Sequence, residues 1–121
     1  MAEFQMRHMK WWGWGDEEVT FSDTDKPKLW PYLKSELGME DGPRTSPISF
    51  EDVNLPPLRE NAPFIGVLES ALEQDQISSS KKDRLIHAAG KSFRDLLRLR
   101  RGQVDYAPDL VVYPSSEDDV V

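Results

Sequence analysis

The stretch from Ser80 to Gly102 limits the fold most, because helical periodicity runs through it between two marked ends. At about 100° per residue, its apolar side chains fall into one stripe about 160° wide, as expected for a helix that packs on a core. Ser80 with Asp83 predicts the first turn, and Gly102 predicts the end. The sequence therefore predicts one long amphipathic helix over 80–101, with a stripe made of Leu85, Ile86, Ala89, Phe93, Leu96, Leu97 and Leu99.

The opposite face of this predicted helix is ionic and forms the candidate interaction face of the chain. Residues 81–101 contain eight Lys or Arg and two Asp, a net charge of +6, whereas the whole chain carries −7. Either the face pairs with acidic residues of the same protein, which we favour, or it docks an acidic partner. The face consists of Arg84, His87, Lys91, Arg94, Arg98 and Arg101.

Two shorter helices precede the long one. Pro31 and Gly38 suit the first position and the end of a helix over 30–37. Asn61 is a plausible cap for a helix that reaches about residue 73. The proline-rich loop between these helices is long for a compact domain, so it needs a surface on which to lie.

A strand is predicted after the long helix. Residues 110–113 are apolar and mostly β-branched, and Pro114 ends the run. Residues 115–121 then resemble a helix cap, an acidic first turn and the start of an apolar face. Because the rest of the chain offers almost no strand to pair with residues 110–113, we expect their partners to lie in a domain that continues beyond this sequence.

Three of the four tryptophans lie within residues 11–14, among two glycines. Aromatic rings in such a cluster can stack on a base, a sugar or a flavin, but large apolar side chains more often fill grooves of their own fold. We therefore interpret Trp11, Trp12 and Trp14 as structural anchors. Residues 1–8 show no period and are expected to be a disordered tail.

Composition argues against catalysis by this chain alone. It has no cysteine, and its two histidines, His8 and His87, lie outside any metal-ligand spacing. No nucleophile motif or phosphate-binding glycine loop occurs, so we assign no catalytic, cofactor-binding or metal residue. The acidic net charge disfavours nucleic-acid binding through the tryptophans and arginines, and no apolar run could span a bilayer. A cytoplasmic protein is expected.

Several segments together resemble a known family. Residues 9–15, MKWWGWG, are similar to the MKWNGWG signature of alkyldihydroxyacetonephosphate synthases and their bacterial FAD-linked oxidase relatives, with Trp12 in place of asparagine. Residues 108–114 and 118–121 resemble the first strand and helix opening of the vanillyl-alcohol-oxidase-type FAD domain. Further similarity lies in residues 29–38, 83–84, 89–90 and 97–102.

The resemblance implies the N-terminal fragment of an FAD-dependent enzyme. Residues 9–104 would be a helical segment of three helices, and 105–121 the beginning of a truncated α+β FAD-binding domain. The glycine-rich pyrophosphate loop, the catalytic tyrosine, the substrate-binding arginine and the histidine cluster of the family would all follow Val121. The parent would therefore bind FAD, while this fragment would bind none, be inactive alone and have the remainder of its own enzyme as partner. The alternative is a protein-interaction module that docks an acidic partner through the basic face of helix 80–101.

Overall fold

The computed structural model describes residues 6–22, 24–40 and 45–121. The fold is mainly helical with a small antiparallel sheet, as the sequence predicts at this coarse level. Three 3₁₀ turns lie at Met6–His8, Gln74–Gln76 and Glu117–Val120. The longer elements, in chain order, are α1 (Leu29–Leu37), α2 (Ala62–Ala71), β1 (Ile77–Ser78), α3 (Lys81–Ile86), α4 (Phe93–Arg100) and β2 (Val111–Val112).

The prediction of one long helix over 80–101 is wrong, because α3 and α4 are separate. The hydroxyl of Ser80 accepts the backbone N–H of Asp83 and begins α3 as predicted. α3 ends at Ile86 with His87 as its C-cap, and the loop that follows contains Lys91 in a left-handed conformation at φ 63°. Ser92 begins α4, since its side chain and that of Asp95 accept each other's backbone N–H groups in a capping box.

The break divides the predicted apolar stripe. Leu85 and Ile86 of α3 and Leu96 and Leu99 of α4 are buried together in the core. Phe93, which a continuous helix would place in the same stripe, is 69% exposed. Because of the loop between α3 and α4, both helices contact the core, but the ring of Phe93 faces solvent.

Gly102 ends α4 as predicted. Its φ is +71°, a conformation that favours glycine, and the next residue donates its N–H to the carbonyl oxygen of Arg98 at 2.9 Å. A Cβ atom at this position would lie 2.5 Å from Cδ1 of Ile48. Gly102 therefore allows both the turn and the close approach of the preceding loop.

The predicted strand finds its partner within the chain, which corrects the expectation that its partners lie elsewhere. β1 and β2 pair antiparallel, with Ile77 opposite Val112 and Ser78 opposite Val111. The two strands come from opposite sides of the expected domain boundary at residue 105. The segment after α4 is therefore hydrogen-bonded to the segment before α3.

The two early helices have the predicted caps but lie outside the core. Gly38 closes α1 at φ 58°, and the Asn61 side chain accepts the backbone N–H of Phe64 at 3.2 Å to begin α2. Neither helix buries a residue. The apolar residues of α3 and α4 therefore pack on other parts of the chain, and α2 contributes no residue to the buried cluster.

The core instead covers α3 and α4 with the tryptophan segment and the proline-rich loop. Val53 of that loop is 1% exposed, and the ammonium group of Lys81 donates to the carbonyl oxygen of Phe50 at 2.8 Å. The long proline-rich loop therefore lies on the surface of α3, as its length led us to expect. The buried cluster consists of Trp11, Val53, Leu85, Ile86, Leu96 and Leu99.

The expected disordered tail over 1–8 lies partly outside the described residues, which begin at Met6. Met6–His8 form a 3₁₀ turn. The guanidinium group of Arg7 lies 4.2 Å from the ring centroid of Tyr113 and also donates to the carbonyl oxygen of Asp75. This part of the expected tail therefore has a place on the fold.

Candidate functional site

The tryptophan-rich residues 9–15 form a tight loop. Lys10 donates its backbone N–H to the carbonyl oxygen of Gly15 at 2.9 Å, and Met9 pairs with Asp16 as an isolated β-bridge. Gly15 has φ 81°, a backbone conformation that is unfavourable for residues with a side chain. The loop thereby brings its three indole rings onto one region of the fold.

The three tryptophans have different environments. Trp11 is 6% exposed, and its ring meets that of Trp12 edge-on with centroids 5.7 Å apart. Trp14 is 63% exposed and donates its indole N–H to the carbonyl oxygen of Lys91 at 2.9 Å. Trp11 and Trp12 thus pack on the core, whereas Trp14 binds the backbone between α3 and α4.

Lys91 completes this junction from the other side. Its ammonium group donates to the carbonyl oxygen of Lys10 at 2.5 Å and to that of Trp11 at 3.4 Å. Burial lowers the pKa of Lys91, because the charged form loses hydration there. The Trp14 side chain therefore binds the backbone between α3 and α4, and the Lys91 side chain binds the backbone of the tryptophan loop. The charge of Lys91 is directed into the protein.

Arg84 is buried, although the periodicity places it on the exposed ionic face. Only 6% of the residue is exposed, and its Nε donates to the carbonyl oxygen of Pro108 at 2.7 Å. Its Nη2 donates to the carbonyl oxygen of Pro56 at 2.8 Å. Arg84 thus joins α3 to the proline-rich loop and to the segment before β2, and it is not available to a partner.

Three exposed arginines remain of the predicted interaction face. Arg94, Arg98 and Arg101 lie on α4 or directly after it. His87 is half-buried and donates through Nδ1 to the carbonyl oxygen of Asp83 at 2.8 Å. The structure therefore does not bring the six predicted residues together as one surface.

A polar cluster around Asp83 was not predicted as a site. The Tyr113 hydroxyl donates to Asp83 Oδ1 at 2.7 Å, and the hydroxyls of Ser78 and Ser80 donate to Oδ2. The His87 ring meets the Tyr113 ring edge-on at 5.8 Å between centroids. In the sequence Asp83 is a predicted capping residue and part of the family similarity at residues 83–84, and no local signal connects it to Tyr113.

The electrostatics of this cluster suit a structural role. Burial raises the pKa of Tyr113 to about 12, helped by its hydrogen bond to Asp83. Partial burial of Asp83 opposes its ionisation, but the bonds from Ser78, Tyr113 and Ser80 outweigh that effect and hold its pKa below the ordinary value. A phenol that stays protonated and a carboxylate that stays charged are both far from the pKa of an efficient acid or base at neutral pH.

A groove of about 480 Å³ lies between α2 and the sheet. Leu58, Phe64, Ile65, Ile77 and Leu110 supply its apolar surface. Its polar lining includes Glu60, Glu69 and Asp109, together with Arg59, whose guanidinium lies 3.4 Å from the Asp109 carboxylate. The groove is therefore apolar with an acidic margin.

Residues 6–22, 24–40 and 45–121 contain neither a metal-binding cluster nor a membrane-spanning helix. No group of three or more His, Cys, Asp or Glu side chains is arranged to hold a metal ion there. No helix in those ranges combines the length and the apolar character that crossing a membrane requires.

Comparison with known proteins identifies relatives across nearly the whole chain. The chain is 33% identical to alkyldihydroxyacetonephosphate synthase of Dictyostelium discoideum in an alignment 137 positions long, which covers 94% of this chain and 22% of that protein. It is 32% identical to Protein Rv2250A of Mycobacterium tuberculosis over 88% of this chain and 69% of that protein. No family model matches the chain.

The fold gives the same result. A solved structure of alkyldihydroxyacetonephosphate synthase superposes with a TM-score of 0.78 and 30% sequence identity, over 95% of this chain and 25% of that one. Sequence and fold therefore both match a part of alkyldihydroxyacetonephosphate synthase, which confirms the resemblance found in the sequence. It spans about a fifth of the length of the curated synthase that it matches, where the alignment covers 22%.

Proposed function

We propose that this chain is the N-terminal segment of an FAD-dependent, alkyldihydroxyacetonephosphate synthase-like enzyme, in which it supports the flavin domain and is inactive alone. The main support for this proposal is that the alignment covers 94% of this chain but only 22% of the Dictyostelium synthase. Most of such an enzyme therefore lies outside this segment. The part outside includes the motifs that bind flavin and substrate in the family.

The short relative from Mycobacterium tuberculosis supports a segment that works beside the rest of the enzyme. The alignment with this chain covers 69% of Protein Rv2250A, so at most about a third of that protein lies outside it. A third of so short a protein cannot hold the remaining four fifths of a synthase. We propose that the segment packs against the flavin-binding part of the enzyme.

The groove beside α2 does not suit FAD. Its acidic residues Glu60, Glu69 and Asp109 would repel a pyrophosphate, and Arg59, the cation that lines it, is already paired with Asp109. Pyrophosphate sites are typically built from clustered backbone N–H groups in glycine-rich loops or from arginine side chains. We therefore propose that FAD is held by the remainder of the enzyme, and we derive no chemical step through this chain.

Titration of the purified chain with FAD tests this proposal. Flavin fluorescence and absorbance should stay those of free FAD at every chain concentration, because the acidic groove beside α2 does not suit the pyrophosphate. Stoichiometric, tight binding of FAD by the isolated chain would contradict the proposal.

The alternative function is an interaction module that docks an acidic partner through α4. Arg94 and Arg98 favour it, since they are exposed and lie one helical turn apart. Charge reversal of both, Arg94→Glu with Arg98→Glu, discriminates the two functions. If association depends on this face, the variant loses its partner while its circular dichroism is unchanged.

A further inference from the structure

Helix α2 leaves Phe64 and Val67 exposed, while Ile65 and Leu68 are half-buried. Of its ten residues only Glu69 is charged, yet none is buried. Phe64 is 53% exposed and Val67 63% exposed. Because a helix that is apolar on most of its surface is stable only when that surface is covered, α2 has the character of a helix inside an interface.

The surface extends from α2 onto the sheet. Apolar side chains line the groove beside α2 from the helix to the residue before β2. They belong to Leu58, Ile65, Ile77 and Leu110. The register places Val112 opposite Ile77 between two hydrogen-bonded pairs, and its backbone N–H and C=O therefore point away from β1. Within the described ranges the sheet has two strands, so this outer edge of β2 pairs with no third one.

The size of the family relatives indicates what covers this surface. The superposition with the solved synthase uses 95% of this chain but 25% of that one, so three quarters of the synthase chain lies outside the shared segment. The core of this chain is already closed by its own loop and tryptophan segment, with Leu85 and Val53 at most 1% exposed. Exposed apolar side chains occur elsewhere too, among them Phe21, Leu37 and Phe93. On α2, however, the exposed side chains continue into the apolar lining of a groove.

We propose that α2 and its groove form the docking surface for the remaining, flavin-binding part of a synthase-like enzyme. This inference rests on the proposed function and specifies its contact surface. The acidic margin at Glu60 and Glu69 fits an apolar ridge flanked by basic side chains on the partner. The arginine face of α4 lies outside this contact.

Coexpression tests the docking surface. The partner is the Dictyostelium discoideum synthase with the region matched by this chain deleted, and it carries an affinity tag. The wild-type chain should copurify with the tagged partner and bring it into the soluble fraction. Phe64→Ser combined with Val67→Ser should weaken binding at least tenfold, because both side chains would leave the interface. Both are exposed in the free chain, so its fold should be retained.

Matched controls use exposed apolar residues elsewhere. Phe93→Ser combined with Leu97→Ser removes two exposed side chains of α4, at 69% and 40%, and should leave copurification unchanged. As a second measurement, the chain has no cysteine, so Val67→Cys and Phe93→Cys each introduce a single thiol. In the complex, maleimide modification should slow at least tenfold at residue 67 and stay unchanged at residue 93.

The outcomes separate this inference from the proposed function. If the wild-type chain binds but the α2 variant binds equally well, the docking surface is wrong while the proposed function stands. Loss of binding in the α4 variant or in the Arg94, Arg98 charge reversal would move the surface to α4 and overturn the inference. If the wild-type chain neither binds nor solubilises the partner, the proposed function itself fails. Concentration-dependent dimerisation of the free chain that Phe64→Ser abolishes would assign α2 to a second copy.

Discussion

Tyr113 donates its hydroxyl to Asp83 Oδ1 at 2.7 Å, and this bond ties the end of β2 to the first turn of α3. Burial, followed by this hydrogen bond, raises the pKa of Tyr113 to about 12. An unfolded tyrosine ionises near pH 10, so the unfolded chain loses this proton first. The stability associated with neutral Tyr113 is therefore complete below about pH 10 and is lost as the pH rises towards about 12.

Replacement of Tyr113 by phenylalanine should flatten this alkaline loss of stability. The free energy of unfolding, measured by urea denaturation between about pH 9 and pH 12, should fall less steeply in Tyr113→Phe than in the wild type. Tyr106→Phe is the control, because Tyr106 is 85% exposed, and it should keep the wild-type slope. Identical slopes in all three proteins would show that the Tyr113 hydroxyl is not coupled to folding.

Arg84 should matter for stability far more than the exposed arginines. Arg84→Met removes the donors to the carbonyl oxygens of Pro56 and Pro108, and we expect a loss of about 2–4 kcal/mol in unfolding free energy. Arg101→Met, at an exposed position, should change it by less than about 0.5 kcal/mol. Similar effects of the two substitutions in urea denaturation would contradict the assignment of Arg84 to the interior.

The two helix-ending glycines provide a matched pair. At Gly38 only the positive φ opposes a side chain, so Gly38→Ala should cost about 1 kcal/mol. At Gly102 the new Cβ would also meet Cδ1 of Ile48 at 2.5 Å, which should add about 1–3 kcal/mol.

A double-mutant cycle identifies the cause of the extra cost. Ile48→Val removes the clashing Cδ1 atom, so it should cost less in the Gly102→Ala background than in the wild type. Thermal or urea unfolding of the four proteins gives the coupling. Strict additivity would mean that the close approach to Ile48 does not limit residue 102.

Local signals predicted the ends of the helices well. Ser80, Asn61, Gly38 and Gly102 act where the sequence placed them, because caps depend on residues three or four positions apart. The same kind of signal was present at Ser92 and Asp95, but the long apolar period favoured a continuous helix. The capping box formed at that point, and helical periodicity alone could not reveal the break.

The rest of the site depends on contacts between distant residues, which periodicity cannot show. Arg84 binds a carbonyl oxygen 24 residues away, and Tyr113 binds a carboxylate 30 residues away. The two-residue β1 lies in a polar stretch that shows no strand pattern by itself. The family resemblance was accessible from sequence, in contrast, because the tryptophan loop is one contiguous motif over residues 9–15.

The most direct measurement of the central claim is the FAD content of the tagged Dictyostelium partner, purified with and without this chain. If the chain supports the flavin domain, the copurified complex should carry equimolar FAD by flavin absorbance, and the partner expressed alone should retain little. The chain separated from the complex should carry none. Equal retention of FAD by the partner with and without this chain would contradict the account, as would flavin that remains bound to the isolated chain.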